Sequence, residues 1–166
     1  MIYIGQLMGW TTVLLTFLSF QCKEHKKLII FNTLATVSLC ISYLFLGAWS
    51  GMLMNCVAIL RNFAIYKRKC KFFSYSFWPY FFAFLMGTLG TLSWQGPISL
   101  LVIMALIIGT LFLYSPNVQN LRKITILTST MVIIYNMYYQ VWGGVVNELI
   151  AITSAVIGIY RYRKAR

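Results

Sequence analysis

The sequence predicts an all-α membrane protein of seven transmembrane helices, arranged as two parallel three-helix repeats joined by one inverting linker helix. Of the 166 residues, 60% are hydrophobic and only 10% are charged, and a soluble domain of this size cannot bury that much apolar surface. Basic residues gather in alternate connections between the apolar runs. The turn GAWSGMLMN at residues 47–55 recurs 93 residues later as QVWGGVVNE.

Seven apolar runs of about 18 residues are each long enough for a tilted helix that crosses the bilayer. The first run lacks a basic leading segment and a small-residue cleavage site, so we expect a retained helix and not a signal peptide. In chain order, the predicted spans are Tyr3–Phe20, Leu28–Leu46, Ser50–Tyr66, Ser76–Ser93, Pro97–Tyr114, Lys123–Gln140 and Gly143–Tyr160.

The boundaries of these spans alternate in charge. Lys and Arg follow spans 1, 3, 5 and 7, whereas spans 2, 4 and 6 are followed by the uncharged turns GAWSG, WQGP and VWGG. The positive-inside rule then places the N-terminus outside and the C-terminus inside. Of the 14 basic residues, only Arg61 lies inside a span, because Lys123 stands at the cytoplasmic end of span 6. The net charge of +12 therefore reflects topology and contact with the lipid bilayer, and no nucleic-acid partner is predicted.

The 93-residue offset superposes spans 1–3 on spans 5–7, including both basic loops, and leaves span 4 as a linker. Because a single linker helix reverses the chain direction, the two halves run parallel. The predicted organisation is a first repeat over residues 1–70, a linker helix over 71–95, and a second repeat with a basic cytoplasmic tail over 96–166. Parallel repeats are a known transporter plan, with the solute site near the bilayer midplane.

This plan of three plus one plus three helices resembles the SWEET, PQ-loop and PnuC-type transporter superfamily. Within it, the stretch ISYLFLGAWSGMLMNCVAILRNF at residues 41–63 resembles the bacterial YgjV-type inner membrane proteins. The resemblance implies a SWEET-like fold and a multi-pass protein of the bacterial cytoplasmic (inner) membrane.

In SWEET-like proteins, a Pro-Gln or similar pair ends the first helix of each repeat and works as a hinge. Pro116 and Asn117 match that pair in the second repeat, and Lys23 and Glu24 occupy the equivalent positions of the first. The resemblance also implies a substrate-facing Asn on the third helix of each repeat. Asn55 matches it, and the residue 93 positions later is Glu148, which departs from the pattern.

Helical geometry tests this placement independently. Steps of four and three residues put Gly51, Asn55 and Asn62 on one face of span 3, and Gly144 and Glu148 on the equivalent face of span 7. Faces of small residues are those that helices bury against neighbours in lipid. Asn55 and Glu148 should therefore point inward at matching depth, either to line a pocket or gate or to form a buried hydrogen bond between helices. The ionised form of Glu148 is energetically unfavourable within a membrane span unless it has a partner.

Five further residues are candidates. Span 6 carries Tyr135, Asn136 and Tyr139, which either contact solute or pack in the core. Trp10 either stacks on a ring-bearing solute or packs against neighbouring helices. Arg61 lies close enough to the end of span 3 either to snorkel to the cytoplasm or to act as a gate.

The predicted function is transport or facilitated movement of a small polar solute by alternating access between the two three-helix bundles. Proton coupling through Glu148 and facilitated diffusion both fit. The alternative is a non-transporting membrane sensor or assembly partner that binds a ligand or a protein. No catalytic cluster, metal spacing or phosphate-binding loop is apparent, so neither an enzyme nor a cofactor is expected. Gly87 and Gly90 in span 4 suggest close helix contact, within the monomer or in a homo-oligomer.

Overall fold

A computed structural model describes residues 2–21, 25–67, 77–113 and 118–164, and these residues form seven α-helices and no strand. The helices are α1 (Ile2–Gln21), α2 (His25–Leu46), α3 (Trp49–Tyr66), α4 (Trp78–Leu92), α5 (Ser99–Leu113), α6 (Val118–Tyr138) and α7 (Trp142–Lys164). The predicted hinge residues Pro116 and Asn117 lie outside the described residues.

Six of the helices, all except α4, pack as a ring. Helix α2 packs between α1 and α3, and α6 packs between α5 and α7. The ring closes through contacts of α1 with α7 and of α3 with α5, and α4 lies against α5 and α3. We call the α1–α7 and α3–α5 contacts the two seams, because they join the first three helices of the chain to the last three.

Three helices extend at least three residues further than the apolar runs predicted, and one of them, α2, begins at His25 and not at Leu28. Helix α6 begins at Val118 and not at Lys123, and α7 continues to Lys164 and not to Tyr160. Lys and Arg are good helix formers, and their long stems cover apolar surface while the charge reaches water. A helix therefore does not stop where its hydrophobic stretch stops.

Helices α3 and α5 run parallel and in register along their seam. The hydroxyl of Ser50 donates to that of Ser99 across 3.1 Å near the start of both helices. Eleven residues further along each helix, Arg61 Nη1 donates to Thr110 Oγ1 across 2.8 Å. Two contacts with the same spacing on both helices are possible only if the helices keep the same direction.

The α1–α7 seam depends on glycine. A Cβ atom at Gly143 would collide with the backbone of Gly9, so the two backbones touch. Helix α2 also packs closely on α1, where Ser42 Oγ donates to the Gly5 carbonyl across 2.7 Å. Small residues of this kind let helices approach in lipid, where packing replaces the hydrophobic effect as the driving force.

The outer surface is strongly apolar. Residues such as Leu14, Phe84, Leu92 and Tyr138 expose more than half of their area. Two stretches, Ile2–Ser19 and Trp142–Tyr162, are long and apolar enough to cross a membrane, and Ile30–Leu46 and Ser99–Leu113 are shorter apolar helices. Length and hydropathy thus support two of the seven predicted spans directly, and the full count remains a prediction.

We expect Gly143→Ala to destabilise the protein, by about 1–3 kcal/mol, because the added methyl group overpacks the α1–α7 seam. Gly109→Ala is the matched control, since a Cβ there meets nothing within 4 Å and alanine favours a helix over glycine. Thermal unfolding of the purified protein in detergent checks both. Equal stability of the two variants would contradict the seam contact.

Candidate functional site

The repeated turn is the same structure in both halves of the chain. Gly47 and Gln140, 93 residues apart, both adopt left-handed φ angles, of 75° and 56°. The following residue then hydrogen-bonds back into the preceding helix: Ala48 N to the Tyr43 carbonyl at 3.0 Å, and Val141 N to the Asn136 carbonyl at 2.8 Å. The left-handed region is costly for a residue with a side chain, so the geometry at Gln140 is imposed by its surroundings.

A glutamine from across a seam binds each turn. Gln95, just before α5, donates through Nε2 to the Gly47 carbonyl at 2.9 Å, and its Oε1 accepts from Ser50 N at 3.1 Å. Gln6 on α1 donates to the Gln140 carbonyl at 2.6 Å. Each half of the chain thus stabilises the turn of the other half.

A polar cluster lies about one helical turn below these turns. The Tyr43 hydroxyl donates to Asn136 Oδ1 across 2.7 Å, and both side chains are completely buried. These two residues are 93 positions apart, so equivalent positions of the two halves meet directly. The Tyr135 hydroxyl accepts from Gly51 N across 2.9 Å, and the Tyr43 and Tyr135 rings pack edge to face at 6.1 Å.

The donor Asn136 Nδ2 of this cluster and the acceptor Asn147 Oδ1 on α7 are buried and have no hydrogen-bond partner among the described residues. Asn136 Nδ2 points at the backbone of Gly144, where a Cβ would lie 2.6 Å from it. Gly144 and Asn147 are one turn apart on α7. Unsatisfied buried polar groups are rare in native proteins and call for an explanation.

Asn55 and Glu148 have separate partners, so the predicted alternative of a hydrogen bond between them does not appear. Asn55 is buried and donates to the Gly51 carbonyl of its own helix across 2.8 Å. The partly buried Glu148 carboxyl is hydrogen-bonded by Ser129 and Asn147. Glu148 also lies close enough to Tyr43 for the two to interact electrostatically. A carboxyl group therefore lies beside the Tyr43–Asn136 contact.

The remaining predicted residues are Tyr139, Arg61, Asn62 and Trp10. Tyr139 packs on Tyr135, with ring centroids 4.8 Å apart, and its hydroxyl contacts Ser99. Arg61 does not extend away from the bundle: it turns to Thr110 on α5 and to Asn62, whose Oδ1 accepts from Nη2 at 3.3 Å.

Trp10 is placed away from the cluster. Its side chain is 50% exposed, whereas Gly9 and Thr12 of the same helix are buried. The predicted stacking role therefore has no support from its position. No group of three or more His, Cys, Asp or Glu that suits a metal ion occurs among the described residues.

Sequence reasoning missed Tyr43, Gln6 and Gln95, which hold the two halves together. The offset did pair Tyr43 with Asn136, but a repeat shows which positions are equivalent and not which of them touch. The two glutamines gave no signal because their partners are backbone carbonyls, which every residue carries.

A family model, Imp-YgjV, described as bacterial inner membrane protein, matches residues 3–166. The chain belongs to this family. No curated protein and no solved structure matches it.

We expect Tyr43→Phe to destabilise the protein by about 1–3 kcal/mol, because it leaves the buried Asn136 Oδ1 unpaired. Removing both partners in Tyr43→Phe/Asn136→Leu should cost less than the sum of the single changes, with a coupling of at least about 0.5 kcal/mol. Chemical unfolding in detergent measures all three. Tyr138→Phe, at a 66% exposed position, is the control and should be silent. Additive effects would show that the hydrogen bond is not formed.

Proposed function

We propose that this bacterial inner membrane protein moves a small polar solute by alternating access between two parallel three-helix units, α1–α3 and α5–α7. The observation that carries the proposal is the unpaired buried donor and acceptor, Asn136 Nδ2 and Asn147 Oδ1, beside Glu148 at the meeting point of the two units. A solute with both a hydroxyl or amine and an acceptor oxygen satisfies both atoms. Desolvated polar groups of this kind favour a ligand that pairs them.

The arrangement of the helices supports two units that move as bodies. Every main contact of the first unit has a counterpart in the second: α1 with α2 and α5 with α6, α2 with α3 and α6 with α7. The seams are likewise equivalent, since each joins the third helix of one unit to the first helix of the other. This is the relation expected for parallel repeats about an axis along the membrane normal, with α4 as the linker.

Near the repeated turns, several of the contacts between the units are hydrogen bonds. They include the Tyr43–Asn136, Ser50–Ser99 and Tyr135–Gly51 bonds and the glutamine contacts of the two turns. Each such bond contributes only about 0.5–1.5 kcal/mol net. A ligand that offsets a few of them can therefore shift the balance between a closed and an open arrangement.

The proposed site lies next to this closed end. Asn55, Glu148 and Tyr139 supply an amide, a carboxyl and a hydroxyl group, and the ring of Tyr139 packs on that of Tyr135. Glu148 binds solute directly, carries a proton, or holds Asn147 in place. These three roles make different predictions for the same substitution.

Glu148→Gln keeps the shape of the side chain and removes its charge. Purified protein is first screened by thermal shift with sugars, vitamins, nucleosides and amino acids, because a bound ligand raises apparent stability. Uptake of the best stabiliser into reconstituted vesicles is then measured. If Glu148 carries protons, the variant loses proton-driven accumulation and keeps exchange. If it binds solute, both fall by about tenfold for each 1.4 kcal/mol lost. If it only positions Asn147, stability changes more than flux.

Asn55→Ala should reduce flux as well, and Thr130→Val is the matched control. Thr130 is exposed on α6 and its hydroxyl bonds only to the Ile126 carbonyl of its own helix. Normal flux in both Glu148→Gln and Asn55→Ala would contradict the proposed site. Saturable binding without any flux would support a membrane sensor in its place.

The orientation proposed from the basic loops, with the N-terminus outside, is tested by cysteine labelling in a variant without native cysteines. Trp94 is 49% exposed beside the uncharged turn before α5, and Lys67 is exposed at the end of α3. We expect a membrane-impermeant thiol reagent to label a cysteine at position 94 from outside intact cells and to leave position 67 unlabelled. Labelling only at position 67 would reverse the orientation.

A further inference from the structure

A cavity of about 890 Å³ opens along the α1–α7 seam, on the side away from the repeated turns. Its apolar wall includes Phe17 of α1 and Ile150 and Ile157 of α7. Arg122 and Arg161 lie at the end of the bundle where α6 begins and α7 ends, which we call the basic end. The seam is therefore tight at Gly9 and Gly143 and wide toward the basic end.

At the equivalent place in the α3–α5 seam, protein side chains fill the space. Phe17 and Ser154 both line the cavity. Phe17 lies 93 residues before Thr110, and Ser154 lies 93 residues after Arg61. Arg61 and Thr110 are in contact, and Thr110 also donates to Met86 Sδ of α4 at 3.4 Å. Helix α4 thus covers the α3–α5 seam, and the described helices provide no counterpart for α1–α7. Of the two equivalent positions, the cavity therefore lies at the one that no described helix covers.

The polar part of this cavity is positively charged and one of its cations is held in place. Arg122 Nη1 donates to the Gly158 carbonyl across 2.8 Å, and the guanidinium lies flat against Gly158, where a Cβ would be 2.7 Å from Nε. The chain has only two acidic residues. One of them, Glu148, lies thirteen residues before Arg161 on α7, which is about 20 Å along the helix, and it is bonded elsewhere.

We propose that this cavity binds an anionic phospholipid, with the headgroup phosphate between Arg122 and Arg161 and an acyl chain along Phe17, Ile150 and Ile157. Guanidinium groups bind phosphate oxygens through paired hydrogen bonds. Basic pockets between transmembrane helices are suited to acidic lipid headgroups. The apolar wall favours a lipid over a soluble phosphate, because only a lipid gains from covering it. The site rests on the membrane setting and is independent of solute transport.

The bound lipid would cover the α1–α7 seam as α4 covers the α3–α5 seam. It covers the apolar flank of α7 and bridges it to α1 below the glycine contact. The acidic lipid therefore stabilises the folded bundle as well as binding to it.

The test uses the full-length protein in detergent and titrates phosphatidylglycerol or phosphatidylcholine with identical chains, with bound lipid counted by native mass spectrometry. Phosphatidylglycerol should bind about tenfold more tightly. Arg122→Gln and Arg161→Gln should each lower the affinity for phosphatidylglycerol by about tenfold, so that either change abolishes the preference. Lys123→Gln is the matched control, since Lys123 is a neighbouring exposed cation outside the cavity, and it should change affinity less than about twofold.

A second variant tests the acyl-chain part of the site without altering charge. Ser154→Phe narrows the cavity and should weaken phosphatidylglycerol binding by about tenfold, and glycerol phosphate in excess should not displace the lipid. Equal effects of Arg161→Gln and Lys123→Gln would overturn the proposal, and so would displacement by glycerol phosphate, which would indicate a soluble-anion site. Arg161 is exposed, so its variant tests the site even if Arg122→Gln fails to fold.

Discussion

The hydrogen bond between Tyr43 and Asn136 is the contact on which the two halves of this protein depend. Both side chains are completely buried, and they occupy equivalent positions of a 93-residue repeat. Inside a membrane no water is available to satisfy a polar group, so each of these residues needs a protein partner. Tyr43 finds its partner in the second half of the chain, and Asn136 Oδ1 accepts this bond from the first half. This hydrogen bond therefore joins the two three-helix units at one depth in the bundle, next to the two repeated turns. A glutamine from across a seam binds each of those turns.

The same contact divides the bundle into a closed part and a looser part. On the side of the turns, the units are joined by hydrogen bonds between side chains and by the backbone contact of Gly9 with Gly143. Toward the basic end the two seams differ, because α4 and the Arg61–Thr110 pair fill one and a cavity widens the other. The bundle is therefore less tightly packed at the α1–α7 seam toward the basic end. The proposed lipid site lies there, and the proposed solute site lies at the closed contact.

Much of the fold is readable from the sequence, and most of the contacts are not. Composition predicts seven helices, and the charged loops and the uncharged turns predict where the chain reverses. The repeat predicts that the turns at Gly47 and Gln140 match, which their φ angles confirm. Helical periodicity predicts the buried face through Gly51 and Asn55, because a face depends only on spacing. It does not predict what the face meets: Asn55 bonds within its own helix, and Trp10 is half exposed although it lies in the middle of its span. Partners depend on the rotation of each helix in the ring, which no local pattern records.

The most direct measurement compares two cross-links in solute flux through reconstituted vesicles. Ser50→Cys/Ser99→Cys replaces a hydroxyl pair 3.1 Å apart and joins α3 to α5 across the seam, in a background without other cysteines. The native Cys40 and Cys56 are free thiols with sulfur atoms 3.3 Å apart, and their oxidation joins α2 to α3 within one unit. If the units rock against each other, oxidation of the first pair stops flux and reductant restores it, whereas oxidation of the second pair leaves flux intact. Full flux with the 50–99 pair completely oxidised would contradict alternating access between the two units.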